Sequence, residues 1–287
     1  MSFISYAQNF EDVMLWRALK HVENGFYIDI GAWSPDIDSV TRSFYEHGWS
    51  GINIEPNFEF HNQLQERRPL DKNLLFAIAD HDGVLTMNFL VNAGLSTMDD
   101  RIAAKHQEAG YSLARQEEVQ VSTLESLWHL HVPAGQDVHF LKVDVEGLEE
   151  AVLRSNNWTT NRPWILVVEA TLPMSAVESH EAWEPMLLAE NYLFAYADGL
   201  NRFYVATERA ELLRAFKYPP NVFDDFTSNQ IYLAEDRATQ AEHRATQAEH
   251  LLADILNSKT WKLTFPIRWA IRSFRSVQRS FHKTTHT

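Results

Sequence analysis

The chain contains no cysteine, which excludes disulfides and thiolate-held metals and fits a reducing compartment. It has no apolar run of about 18 residues, the length a membrane-crossing helix requires. Its opening segment, MSFISYAQNFEDVMLWR, brings acids early and no long apolar core, unlike a signal peptide. Glycine is scarce, with 10 in 287 residues. Neither G-x-G-x-x-G nor G-x-x-x-x-G-K-[ST] occurs, so both glycine-built phosphate cradles are missing. Cations are outnumbered too: 25 Lys and Arg against 39 Asp and Glu, for a net charge of −14. Seven of those cations lie beyond Asn257, where no acid occurs, so the rest of the chain carries about −21. An acidic body of this kind excludes nucleic acid as an expected partner.

What is present is a regular alternation. Extended apolar runs are expected at 26–30, 51–56, 74–80, 139–147 and 164–170. Helical segments are expected at 8–18, 39–47, 58–66, 123–130, 148–155 and 182–191. Residues 192–208 read as a hairpin turning at Asp198-Gly199-Leu200-Asn201, and 92–120 read as loop-like. Strands alternating with helices imply a mostly parallel sheet covered on both faces. In such sheets a ligand lies beyond the carboxyl ends of the strands, where the strand order reverses. The acids gather there: Asp29 just before Gly31, Glu55 after the second strand, Asp144 and Glu146 after the fourth, Glu169 after the fifth.

Glu55 follows Gly31 by 24 residues, at the strand tip where α/β nucleotide-binding proteins place an acid for ribose hydroxyls. The loop after Gly31 offers neither further glycines nor a basic residue to meet a phosphate. The expected ligand is therefore adenosine-like and without phosphates. S-adenosyl-L-methionine fits, because its sulfonium cation suits acidic strand ends. An NAD enzyme is disfavoured by the missing glycines and by the absence of a Tyr-x-x-x-Lys dyad.

The segments SYAQNFEDVML, GFYIDIGAWSPDIDSVTRSFYEHGWSGINIEPN, LKVDVEGLEEAVL, WILVVEA and DGLNRFYVA together resemble the FkbM-type S-adenosylmethionine-dependent methyltransferases across residues 3–233. The resemblance implies a Rossmann-like, seven-stranded, mostly parallel sheet, and methyl transfer to hydroxyls of sugars and related natural products. A sugar or glycan acceptor, as in a bacterial surface polysaccharide, is the expected partner. The rival expectation is a cofactor-binding scaffold that recruits glycan-assembly enzymes to the membrane. Cofactor-binding candidates are Asp29, Gly31, Glu55 and Glu146, with Gln8, Asp12 and Ser96 as lid or wall residues. Asp144 and His180 are the catalytic candidates. Metal-dependent O-methyltransferases of this fold use acids at the positions of Asp144 and Glu169. No Asn or Asp doublet follows Glu169 here, and no metal is expected.

The expected organisation is a methyltransferase domain over 1–230, a short coiled-coil helix over 231–256 and a basic amphipathic tail over 257–287. Residues 237–250 are two identical heptads, RATQAEH repeated. Around them Ile231, Ala234, Ala238, Ala241, Ala245, Ala248, Leu252 and Ile255 recur at alternating steps of three and four, a seam suited to self-association. In the tail, Ile267, Ile271, Phe274, Val277 and Phe281 gather on one helical side beside four arginines, the pattern of an interfacial membrane helix. Similar S-x-x-W-K-L-T-x-P-I-R tails occur on bacterial enzymes of surface-polysaccharide synthesis. The expectation is a cytoplasmic protein in peripheral contact, through this tail, with an anionic membrane or a membrane-bound complex.

Overall fold

The computed structural model describes residues 3–91, 96–98, 100–264 and 266. Along the chain run β1 (Phe3–Ser5), α1 (Glu11–Leu19), β2 (Phe26–Ile30), α2 (Arg42–Glu46), β3 (Ser50–Ile54), α3 (Phe58–Arg67), β4 (Lys72–Leu74), β5 (Ala77–Ile78) and β6 (Gly83–Leu90). Then follow α4 (Asp100–Glu108), β7 (Leu113–Ser122), α5 (Leu124–His131), β8 (Phe140–Val143), α6 (Glu149–Arg154), β9 (Ile165–Glu169), α7 (Glu184–Ala189), β10 (Tyr192–Ala197) and β11 (Asn201–Ala206). Last come β12 (Phe226–Ser228), α8 (Asn229–Asn257) and α9 (Lys259–Leu263). Short 3₁₀ segments occupy His180–Ala182 and Thr207–Phe216.

The main sheet has seven strands in the order β10-β11-β9-β8-β2-β3-β4. It is mixed: β4, β3, β2, β8 and β9 pair in parallel, while β11 runs antiparallel to both β9 and β10. The order reverses at β2, which lies between β3 and β8. Alternate residues of each strand feed opposite layers, as the two-residue strand period dictates. Ile28, Leu141, Leu166 and Val168 pack with α5 and α6 on one face. Tyr27, Phe140, Ile165 and Val167 pack with α1 and α2 on the other. Central strands covered on both faces read as unbroken apolar runs, and the ILVVE of β9 is buried at every position.

Two sequence expectations are corrected. The strand expected over 74–80 is split: Leu74 ends β4 in the main sheet, while Ala77 and Ile78 form β5 in a separate three-stranded sheet, β5-β7-β6. Residues 92–120, read as loop-like, contain α4 and β7. The LARQEEVQVS of β7 has a largely exposed surface and so shows little apolar alternation. Its register comes from pairing with β6 along nearly its whole length.

The chain divides into two compact units, Met1–Asn229 and Gln230–Thr287. In the first, β1 pairs in parallel with β12, and Arg17 clamps Asp224 through two 2.6 Å hydrogen bonds, which ties the start of the unit to its end. In the second, the 29-residue α8 has no buried residue, and Ser258 caps α9 by accepting the Trp261 N–H. Of the expected basic tail, residues 265 and 267–287, with the whole Ile267–Phe281 stripe, lie outside the described residues. Among the described residues no helix is long and apolar enough to cross a membrane.

Candidate functional site

β2 stops at Gly31 because the neighbouring backbone leaves no room for a side chain there. Gly31 has φ +79°, and a Cβ at this position would collide with the Asp144 carbonyl oxygen. The chain then folds over the end of β3. The amides of Gly31 and Ala32 both donate to the Ile54 carbonyl, at 3.1 Å each. Trp33, at φ +46°, donates its amide to Glu55 Oε2 at 2.9 Å. Glu55 Oε1 accepts the Asn57 amide at 2.7 Å. The carboxylate is thereby held rigidly at the tip of β3, and burial pushes its pKa up to about 7 against the pull of those two amides.

β8 contributes Lys142, a cation inside an otherwise apolar strand. Its Nζ lies 3.2 Å from Asp144 Oδ2, 3.6 Å from Asp29 Oδ1 and 3.2 Å from the Gly31 carbonyl. One buried ammonium thus ties the ends of β2 and β8 together. Burial favours its neutral form, but Asp144 and Asp29 outweigh that, and its pKa stands above the ordinary lysine value. Beyond β8, Glu146 and Gly147 take left-handed backbone conformations, with φ +54° and +95°. Glu149 Oε1 holds this turn by accepting the Val145 and Gly147 amides, both at 3.1 Å.

These strand ends surround a cavity of about 410 Å³, within the size range of small-molecule sites. Its apolar wall includes Trp33, Phe60, Ile54, Ile78 and Met87, and the Trp33 and Phe60 rings meet edge to face at 5.7 Å. Its polar wall is acidic: Glu11, Asp38, Glu55, Asp144, Glu146 and Glu169 face a single cation, Lys142, among the described lining residues. Burial and the neighbouring carboxylates Asp144, Glu146 and Glu149 raise the Glu169 pKa strongly, so this acid holds its proton at neutral pH. Burial, with Asp144 and Glu149, likewise raises that of Glu146. Glu146 Oε2 and Glu169 Oε2 are buried without a hydrogen-bond partner. Buried polar atoms in this state mark where a ligand or solvent completes the structure.

Of the nine residues singled out from the sequence, Gln8, Gly31, Glu55, Ser96, Asp144 and Glu146 line this cavity; Asp12, Asp29 and His180 do not. Asp29 sits behind the wall, held by the Thr41 hydroxyl at 3.1 Å and facing Lys142. Asp12 is fully buried, and its carboxylate is taken up by the Ser5 hydroxyl and the Tyr6 and Ala7 amides. His180 lies in a 3₁₀ turn, its ring against Trp183 and its nitrogens toward Glu178 and Glu184. It is not among the described residues that line the cavity. At Gly31, which lines the cavity, the Asp144 backbone is what excludes a side chain.

Sequence reasoning missed Lys142, although a cation inside the buried run HFLKV was a usable signal. It also missed Glu11, which lines the cavity in place of Asp12 and receives the Asn201 amide at 2.7 Å. Adjacent helix positions point about 100° apart, and nothing local says which of two consecutive acids turns inward. Trp33 and Phe60 carried no signal at all. Among the described residues no group of His, Asp and Glu has the geometry of a metal site.

The arrangement can hold a cationic, apolar-bodied ligand through acids and aromatic edges, and among the described lining residues a polyphosphate would meet one cation, Lys142. The methyltransferase FkbM domain matches residues 29–194, from within β2 to within β10. No curated protein matches the chain. The matched segment takes in β2, β3, β8 and β9 with their terminal acids and covers more than half of the chain. This protein belongs to the FkbM methyltransferase family.

Proposed function

We propose that the protein is an S-adenosylmethionine-dependent O-methyltransferase acting on a hydroxyl of a sugar or glycan. The observation that carries the cofactor reading is Glu55, pinned by two amides at the tip of β3 beside an aromatic wall, in a cavity with an excess of acids. Glu55 is positioned to accept from both ribose hydroxyls through its remaining lone pairs. Trp33, Phe60, Ile78 and Met87 supply an apolar slot for a purine. Asp144, Glu146 and the protonated Glu169 surround the place for the methionine part, and the partnerless Oε2 atoms of Glu146 and Glu169 suit its polar amino-acid tail.

When bound, S-adenosylmethionine supplies a methyl group already activated by its sulfonium charge. The protein's work is then orientation and one proton. Asp144, held by Lys142 Nζ, is placed to align an acceptor hydroxyl and receive its proton. Gln8, Ser96 and Asn201, which also line the cavity, offer hydrogen bonds to a polyhydroxylated acceptor. The O-methyl product and the glycan acceptor rest on the family resemblance and on this polar lining.

The deciding experiment is titration calorimetry with S-adenosylmethionine, S-adenosylhomocysteine and NAD. The first two should bind and NAD should not. In Glu55→Ala, lost hydrogen bonds to a charged acceptor weaken binding by about 1.5–3 kcal/mol each before compensation. Unchanged affinity in a folded Glu55→Ala variant removes Glu55 from the site, and tight NAD binding overturns the cofactor assignment.

A further inference from the structure

The second unit carries a charge pattern that the proposed chemistry does not use. α8 is continuous from Asn229 to Asn257 and exposed from Gln230 onward. Along its seam, Ile231, Ala238, Ala245 and Leu252 fall at heptad position a, and Ala234, Ala241, Ala248 and Ile255 at d. Arg237 and Arg244 then fall at g, and Glu242 and Glu249 at e. Each arginine precedes a glutamate by five residues.

That spacing is useless within a single helix, where charged side chains meet three or four residues apart. The neighbours of Arg237 and Arg244 at those distances are Leu, Ala and Gln; those of Glu242 and Glu249 are Ala, Thr and Leu. Among the described residues none of these four charges forms an ion pair, although α8 carries backbone-directed bonds such as Arg244 Nε to the Gln240 carbonyl at 3.3 Å. A solvated lone helix gains nothing from this arrangement. A g residue does meet the e residue five positions later on a facing, parallel helix.

We propose that residues 231–256 pair with the same segment of a second copy of this chain, as a parallel, in-register two-stranded coiled coil. Arg237 then faces Glu242 of the second copy, and Arg244 faces its Glu249, with both contacts repeated by symmetry. The antiparallel alternative sets e against e and g against g, glutamate on glutamate and arginine on arginine, and is disfavoured by its own charges. The alanine layers bury little area, so association is weak at the centre. It is reinforced at the C-terminal end, where Leu251, Leu252, Ile255 and Leu256 occupy g, a, d and e and are all exposed in the single chain. The parallel arrangement brings both copies of the segment after Asn257 to one end of the coil, so two cationic segments leave it together.

Two experiments on the full chain test this. In sedimentation equilibrium the mass should rise with concentration from that of one 33.2 kDa chain toward twice that value. Arg237→Glu with Arg244→Glu sets glutamate against glutamate and should raise the dissociation constant by about tenfold or more. Adding Glu242→Arg and Glu249→Arg to that variant should restore dimerisation. Because the chain has no cysteine, Ala234→Cys introduces a single thiol; on mild oxidation it should yield a disulfide-linked dimer. In an antiparallel pair the two thiols would sit near opposite ends, about 27 Å apart along the axis, and no such dimer would form. A mass that stays monomeric at every concentration overturns the pairing. A dimer that tolerates the arginine reversals, or in which Ala234→Cys fails to cross-link, overturns the parallel register.

Discussion

Glu11 and Asn201 lie 190 residues apart in sequence and meet through a 2.7 Å hydrogen bond in which Asn201 Nδ2 donates to Glu11 Oε1. Both line the cavity. The contact joins the start of α1 to the start of β11. Each segment is anchored locally as well: Glu11 Oε2 accepts the Asn9 amide, and Asp198 accepts the Leu200 and Asn201 amides. Asn201→Ala leaves a buried carboxylate oxygen without its donor and should cost about 1–3 kcal/mol. Urea unfolding at about pH 8, where Glu11 is ionised, measures it. A loss within error would show that solvent takes over the Asn201 contact.

Gly31→Ala tests the crowding at the end of β2. The new Cβ meets the Asp144 carbonyl at a backbone angle that side chains rarely adopt. The strand ends must separate, which moves Asp144 and the loop to Glu55 together. Affinity for S-adenosylhomocysteine should fall at least tenfold in protein that still unfolds cooperatively, as read by calorimetry beside a thermal melt. Wild-type affinity in this variant would refute the tight approach of Gly31 and Asp144.

Lys142→Met removes the cation shared by Asp29 and Asp144. An uncompensated buried charge costs about 3–5 kcal/mol. Asp29→Asn in the same chain should recover a large part of that loss, because the amide needs no countercharge and can still accept from Thr41. A double variant as unstable as the sum of the two single ones would mean that the pair is not coupled.

Burial pushes Glu11, Glu55 and Glu149 up to about 7 and Asp12 up to about 6, from ordinary values of 4.5 and 3.8. Between those limits the folded chain binds more protons than the unfolded chain. Stability contributed by these groups is therefore greatest at low pH and is lost as pH rises through about 7. The ligand-free protein should melt at a higher temperature near pH 5.5 than near pH 8. Glu149→Gln, which keeps an acceptor for the Val145 and Gly147 amides, should reduce the slope. A melting temperature that climbs from pH 5.5 to pH 8 would contradict the sign.

After Asn257 the composition changes to seven cations without an acid. A chain ending at Leu256 should bind S-adenosylhomocysteine as the full chain does and should lose co-sedimentation with anionic vesicles at low salt. Each of the seven cations is worth about 1 kcal/mol near an anionic surface. Full-length protein that ignores such vesicles would turn the tail reading toward protein docking.

The sequence by itself determined the alternating architecture, the acidic strand ends around which the cavity lies and the absence of both glycine-rich phosphate motifs. The reason is local: strands buried on both faces must read as apolar runs, so an acid at the end of each run stands out, as at Glu55, Asp144 and Glu169. It also determined the seam and the charge spacing of α8, since a helix expresses its periodicity without help from the rest of the chain. Tertiary structure decided what depends on register between distant segments. Lys142 meets Asp29 only because β8 pairs with β2 at that pair of residues. Glu11 rather than Asp12 lines the cavity because of how α1 is turned against the sheet. β7 exists because β6 supplies its pairing edge, where its own pattern gives little sign of a strand. Contacts of that kind are set by packing across long loops, and no single stretch of residues encodes them.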